Sequence, residues 1–157
     1  MLAYAANNDG TPRYGYVKLN AVPVWQSSWS GTFPNARGVN VFRVNPFNCS
    51  VLESRRYDTH GDKNAATELR NYLQQLNRGS VVVAATADEP TANLASALSI
   101  LKEMGADVSN VQHRGSFGFV AQKGFPAKTV LRKALTMAES NTNQPRFNAT
   151  ITGATYF

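Results

Sequence analysis

The sequence contains a single cysteine, Cys49, among its 157 residues. One thiol excludes an internal disulfide and any zinc site built from several cysteines. Three roles remain open for it: a buried thiol, a free surface thiol, or a link between two chains. The last role would make the protein a homodimer joined through Cys49.

Long apolar runs are also missing, because no stretch approaches the roughly 20 apolar residues that a membrane-spanning helix needs. The segment from Met1 to Gly10 opens with a few apolar residues but lacks the basic start and apolar length of a signal peptide. We therefore expect no membrane insertion, and we expect that any secretory leader has been removed.

Dense runs of charge are absent as well. The 16 Lys and Arg residues outnumber the 10 Asp and Glu residues, which gives a net charge of +6. The basic residues stand singly or in pairs such as Arg55-Arg56 and Arg132-Lys133, without an aromatic-rich basic motif. This scatter favours an ordinary solvated surface and no nucleic-acid partner, with binding of a sulfated or other anionic polymer as an alternative.

The sequence lacks the common catalytic and phosphate-binding motifs. His60 and His113 lie far apart in predicted loops, without neighbours that would complete a metal site. The adjacent Asp88 and Glu89 precede a predicted helix, where carboxylates stabilise the N-terminus. We therefore predict no catalytic residues, no metal, no cofactor and no enzymatic activity.

Strand patterns dominate the first third of the chain, and apolar periodicity marks three helices. The predicted strands are Tyr14 to Leu19, Val22 to Trp25, Arg37 to Val44, Val51 to Asp58, Ser80 to Thr86, Ser116 to Gln122 and Arg146 to Thr152. The predicted helices run from Asp62, as the cap, to Gly79, from Thr91 to Gly105, and from Lys128 to Ala138. These elements predict a single α+β domain with mainly antiparallel sheet over residues 14–157, preceded by a flexible segment, residues 1–13.

Several blocks of sequence, in order, resemble the interleukin-like EMT inducer (PANDER-like) domain family. The blocks are Arg37-Gly38-Val39-Asn40-Val41, Leu52 to Thr59, Val81 to Ala84 with Asp88-Glu89, Met104-Gly105-Ala106, and Arg114 to Gly124. The resemblance implies two β-sheets packed as a sandwich and flanked by two or three short helices. It also implies relatives that include secreted cytokine-like proteins and the sugar-binding stem domain of a protein O-mannose N-acetylglucosaminyltransferase.

By the same resemblance, a sugar would contact Arg37, Asp88 and Arg114, with Glu89 beside them. A carboxylate accepts hydrogen bonds from two adjacent hydroxyls, while guanidinium groups donate to sugar oxygens. Phe117 is a candidate for stacking on the apolar side of a sugar ring, as are Trp29 and Phe33 in the loop from Gln26 to Ala36.

The chain departs from the family pattern where Gly115 and Phe117 replace an acidic residue and a tryptophan. An alternative reading is that the two arginines only brace Asp88 in an internal salt bridge.

The sequence thus favours a secreted lectin that binds N-acetylhexosamine- or galactose-type glycans or glycoproteins. Because one shallow site binds weakly, we expect a homo-oligomer, through Cys49 or through edge pairing of the Arg146 to Thr152 strand. The alternative is a secreted cytokine-like protein that binds a protein receptor. Two sequences, at Asn48 and Asn148, match the N-glycosylation pattern.

Overall fold

Two antiparallel β-sheets and three short helices make up the computed structural model, which describes residues 2–4, 15–20, 22–27, 37–142 and 146–148. The smaller sheet contains, in spatial order, β3 (Val22–Ser27), β2 (Gly15–Leu19), β1 (Leu2–Tyr4) and β9 (Arg146–Asn148). The larger sheet contains β5 (Val51–Tyr57), β4 (Gly38–Val44), β6 (Val81–Ala87), β7 (Ser116–Gln122) and β8 (Val130–Ala134). The helices are α1 (Ala65–Gln75), α2 (Leu98–Glu103) and α3 (Met137–Thr142). The predicted α+β class with antiparallel sheets is confirmed.

The larger sheet lies between the smaller sheet and a layer formed by α1 and α2. All seven residues of β6 are buried, and so are all seven of β7. Alternate side chains of β6 enter two different cores: Val82 and Ala84 face the helices, whereas Val81 and Val83 face the smaller sheet. A strand covered on both faces reads as a continuous apolar run, which explains why β6 was recognisable from sequence.

Helix α1 confirms the predicted apolar stripe, because Leu69 and Leu73 are fully buried against the larger sheet. Its ends differ from the prediction. Asp62 is not the cap residue; its carboxylate accepts a hydrogen bond from the backbone N–H of Asn64, one residue before the helix. Gly79, at φ +93°, lies beyond the end of the helix and forms the turn into β6, where its N–H donates to the carbonyl of Lys123 at 2.8 Å.

The second helix begins later than the sequence indicates. A short 3₁₀ turn, Ala95–Ala97, precedes α2, and Gly105 at φ +89° follows it, as predicted. Competing hydrogen bonds explain the late start. Thr91 donates its N–H and hydroxyl to Glu89, and Asn93 donates its N–H to the carbonyl of Thr59.

The predicted helix from Lys128 to Ala138 is wrong. A 3₁₀ turn, Pro126–Lys128, leads into β8, which pairs with β7 from Val120 opposite Val130 to Ser116 opposite Ala134. The spacing of Leu131, Ala134 and Leu135 fits a helix, but pairing with the exposed edge of β7 overrides that local preference. Only Met137–Thr142 is helical in this region.

Regular structure also begins earlier than expected. Strand β1 occupies Leu2–Tyr4, between β2 and β9, although the sequence predicted that order would start near Tyr14. Three residues carry too little periodicity to reveal a strand. Of the predicted final strand, Arg146 to Asn148 is confirmed as β9, and the rest of it lies outside the described residues.

Candidate functional site

One end of the larger sheet brings Arg37, Asp88 and Arg114 together. Gly38, the first residue of β4, is paired with Ala87, the last residue of β6, so Arg37 and Asp88 leave the sheet side by side. Arg114 precedes β7 at the same end. The register there is fixed by Thr86, whose hydroxyl accepts the N–H of Phe117 and donates to its carbonyl, both at 3.0 Å.

Asp88 and Arg114 form an ion pair that remains open to solvent. Nη1 of Arg114 lies 3.3 Å from Oδ1 of Asp88, and the two side chains keep 30% and 20% of their surface exposed. Both residues have left-handed backbone conformations, with φ of 57° at Asp88 and 58° at Arg114. Such conformations are costly for residues with side chains and persist where the surroundings enforce them, as at many binding sites.

Arg37 is held by Asp58, a residue for which the sequence predicted no role. Nε and Nη2 of Arg37 donate to the two carboxylate oxygens of Asp58 at 2.9 and 2.7 Å. The pKa of Arg37 lies above its usual value chiefly because of this bond, and the charge of Asp88 contributes as well. The guanidinium has five N–H donors, so a two-pronged bond to Asp58 occupies two of them.

Gly61 lets Arg37 approach the chain closely. A Cβ atom at Gly61 would lie 2.5 Å from Nη2 of Arg37 and 2.8 Å from Oδ2 of Asp58. The N–H of Gly61 also donates to Asp58 at 2.9 Å. The guanidinium is therefore fixed in orientation while 37% of the Arg37 side chain stays exposed.

Glu89 is a buried carboxylate that binds several residues around the site. Its Oε1 accepts hydrogen bonds from the N–H and hydroxyl of Thr91, at 2.5 and 2.6 Å. Its Oε2 accepts the N–H of Arg114 at 2.5 Å and lies 2.6 Å from Nδ1 of His113. One fully buried carboxylate thus ties the turn carrying Asp88 to the loop carrying Arg114.

Two of the predicted sugar contacts need correction. Phe117 has no exposed surface and belongs to the core on the helix side, so its ring offers no face to a ligand. Glu89 is equally buried, so it positions the site rather than touching a ligand. The other two aromatic candidates, Trp29 and Phe33, lie outside the described residues.

The alternative that both arginines only form internal salt bridges with Asp88 is confirmed for one of them. Arg114 pairs with Asp88, as that alternative requires, but Arg37 pairs with Asp58. Asp58 was identifiable in principle, because the β4–β5 hairpin sets Tyr57 opposite Val39 and so places Asp58 near Arg37. The information that identifies Asp58 is the pairing register of the hairpin, and short sequence motifs do not specify a register.

The arrangement presents two fixed guanidinium groups and one carboxylate to solvent at the same sheet end. Such a set both donates and accepts hydrogen bonds, as neutral polyhydroxylated ligands require. Among the described residues, no group of three or more His, Cys, Asp or Glu side chains could hold a metal ion.

The Asp58 ion pair makes a prediction about acid stability. The Arg37 guanidinium, with the Gly61 N–H, lowers the pKa of Asp58 to about 2. A carboxyl with a depressed pKa stabilises the fold above its unfolded pKa, near 3.9, and loses that effect as the pH falls towards 2. Because the pair is partly solvated, we expect Asp58→Asn to cost about 1 kcal/mol at neutral pH.

Urea denaturation of both proteins at pH 7 and near pH 2 measures this effect. The stability difference between wild type and Asp58→Asn is expected to shrink towards zero in acid. A difference independent of pH would show that the Arg37–Asp58 pair contributes no charge-dependent stability.

In the part of the chain that is described, none of the helices has the length and apolar character needed to cross a membrane. A scan against protein-family models matches residues 37–125 to the family described as interleukin-like EMT inducer. The matched region covers more than half of the chain and includes Arg37, Asp58, Asp88 and Arg114. A comparison with curated proteins gives no match.

Proposed function

Because the chain belongs to the interleukin-like EMT inducer family, we propose that it is a secreted, non-catalytic lectin. The family match itself supports a domain of cytokine-like or carbohydrate-binding type. The proposed ligands are N-acetylhexosamine- or galactose-type glycans, bound by Arg37, Asp88 and Arg114. The observation that carries the proposal is the convergence of these three partly exposed side chains at one end of the larger sheet.

The chemistry of the three side chains fits a neutral sugar better than an anion. A phosphate or sulfate would meet the carboxylate of Asp88 as well as the two arginines, and like charges repel. A sugar hydroxyl can donate to Asp88 while an adjacent oxygen accepts from Arg37 or Arg114. We therefore expect binding that changes little with salt, since neutral hydrogen-bonded contacts are weakly screened.

A glycan array probed at low and high salt tests the proposal. We expect Arg114→Gln to reduce the signal by roughly tenfold, as for loss of a charge-assisted hydrogen bond. The matched control is Arg78→Gln, an exposed arginine that precedes β6 at the opposite end of the sheet. Equal binding by the two variants would contradict the proposed site.

The main alternative is a cytokine-like protein that binds a receptor, which the family match also supports. It predicts no signal on the array, together with saturable binding to cells that free sugars do not compete. Steep loss of array binding with salt would instead indicate an anionic polymer as the ligand.

A shallow site binds weakly, so we propose that the protein acts as a homo-oligomer with several sites. The side chain of Cys49 is half-buried and packs against the core between the sheets, in the turn before β5. Comparing the mass of the protein with and without reductant tests whether Cys49 joins two chains.

A further inference from the structure

Strand β5 forms one edge of the larger sheet, and most of its residues are exposed. It is the last strand in the spatial order, and no strand within the described residues pairs with its outer side. An edge strand presents backbone N–H and C=O groups to another chain unless some feature prevents pairing. Over its seven residues, Val51–Tyr57, it contains no proline or lysine.

Exposed apolar side chains are concentrated beside this edge. Five large apolar residues are exposed in the described part of the chain, and three of them, Phe47, Val51 and Leu52, lie in the β4–β5 hairpin. Phe47 is 66% exposed and Leu52 is 51% exposed. An apolar cluster next to an open strand edge is typical of a surface that another protein covers.

The other edge of the same sheet is protected. Lys133 in β8 donates to the carbonyl of Asp107 and to the side chain of Asn110, at 2.8 and 2.6 Å. Helix α3 follows β8 after two residues and contacts it. The two edges therefore differ, and β5 is the more accessible one.

The charges of β5 are self-complementary in one register. If two copies pair antiparallel about a two-fold axis at Ser54, Glu53 of each lies directly opposite Arg55 of the other. Shifting the axis to Glu53 or to Arg55 would place like charges opposite each other, which is destabilising. Charges on an edge strand usually discourage pairing, but here they select a single register.

Glu53 and Arg55 lie on the same face of the sheet, the face that α1 covers, because both contact Tyr72. Glu53 is bonded to Arg55 of the same strand at 2.7 Å and lies 3.5 Å from Nε of Arg43. The Tyr72 hydroxyl donates to Glu53 at 3.2 Å, and the Arg55 guanidinium lies 4.6 Å from the centre of the Tyr72 ring. Two copies would thus form a ring of four charges alternating in sign.

We propose that this protein forms a symmetric dimer by antiparallel pairing of β5 with β5 of a second copy, centred on Ser54. The pairing joins two five-stranded sheets into one continuous sheet and sets Leu52 of each copy opposite Arg56 of the other. It leaves the site at Arg37 and Asp88 open and places two copies of Asp58 roughly 27 Å apart along the strands. The interface depends neither on Cys49 nor on sugar binding.

Charge reversal tests the register. Sedimentation with reductant present is expected to give twice the chain mass of 17.1 kDa for the wild type at micromolar concentrations. Glu53→Arg and Arg55→Glu each place like charges opposite each other, so each variant alone is expected to be monomeric. Glu103→Arg, a reversal of the same sign on exposed α2, is the control for Glu53→Arg and is expected to stay dimeric.

Two rescue experiments separate this register from a general loss of folding. A mixture of Glu53→Arg with Arg55→Glu restores opposite charges at every position, so a heterodimer is expected. The double variant Glu53→Arg/Arg55→Glu is expected to form a homodimer again. A monomeric wild type, dimeric single variants, or single variants that are folded by circular dichroism but rescued in neither experiment would overturn the proposal.

Discussion

Replacing Asp88 with asparagine is expected to weaken glycan binding by roughly 10- to 100-fold, the effect of removing one charged hydrogen-bond partner. Asparagine keeps the size of the side chain and tolerates the left-handed backbone at this position, where φ is 57°. Alanine would add backbone strain and confuse the result. Calorimetric titration with the sugar that competes best on the array measures the affinity.

A carboxylate at the opposite end of the sheet provides the matched control for Asp88. Glu103→Gln makes the same chemical change on a side chain that is 71% exposed and lies 3.9 Å from Nζ of Lys123. This control is expected to bind like the wild type. Unchanged affinity for Asp88→Asn, with the fold intact, would remove Asp88 from the site.

Replacing Glu89 with alanine is expected to lower the free energy of unfolding by about 3 kcal/mol, because several hydrogen-bond donors lose their one buried acceptor together. The N–H groups of Thr91 and Arg114 and the side chain of His113 all point at this carboxylate. The loop carrying Arg114 would lose its anchor, so glycan affinity is expected to fall as well.

Urea denaturation of Glu89→Ala beside Glu103→Ala measures the effect on stability. The exposed Glu103 is expected to change the free energy of unfolding by less than about 0.5 kcal/mol, as for most surface positions. If the two variants unfold at the same urea concentration, the buried carboxylate is not the hub that holds the site together.

The strands that were recognisable from sequence are those with a β-rich run of about seven residues or with residues buried on both faces. Two β-rich runs on either side of Asn45-Pro46 predict the β4–β5 hairpin. A continuous apolar run predicts β6. Strand β8 was mistaken for a helix because its apolar spacing fits a helix. Backbone pairing with β7, which the local sequence does not reveal, makes it a strand. Strand β1 was missed because its three residues carry little periodicity and one of its partners, β9, comes from the far end of the described chain.

The site shows a similar division. Arg37, Asp88 and Arg114 were predicted from the family resemblance, and the structure brings them to one end of the sheet. The depth of each side chain was not readable from sequence. Neighbouring residues on a turn point in different directions, so Asp88 reaches solvent while Glu89 is buried.

Whether a side chain is buried or exposed depends on tertiary structure. Phe117 was expected to be a ligand platform because it is an aromatic residue where the family pattern has a tryptophan, yet strand β7 turns it into the core. Asp58 lies in the family block from Leu52 to Thr59 but had no predicted role at the site; the hairpin register makes it the partner of Arg37. Pairing register was therefore the missing information in both cases.

The most direct measurement is an amide chemical-shift titration of isotope-labelled protein with the neutral monosaccharide that competes best on the array. We predict that the largest shifts fall on Arg37, Asp88 and Arg114, with smaller ones at Gly61 next to them. Saturable shifts confined to the β5 edge, with those three amides unmoved, would contradict a sugar site at this end of the sheet.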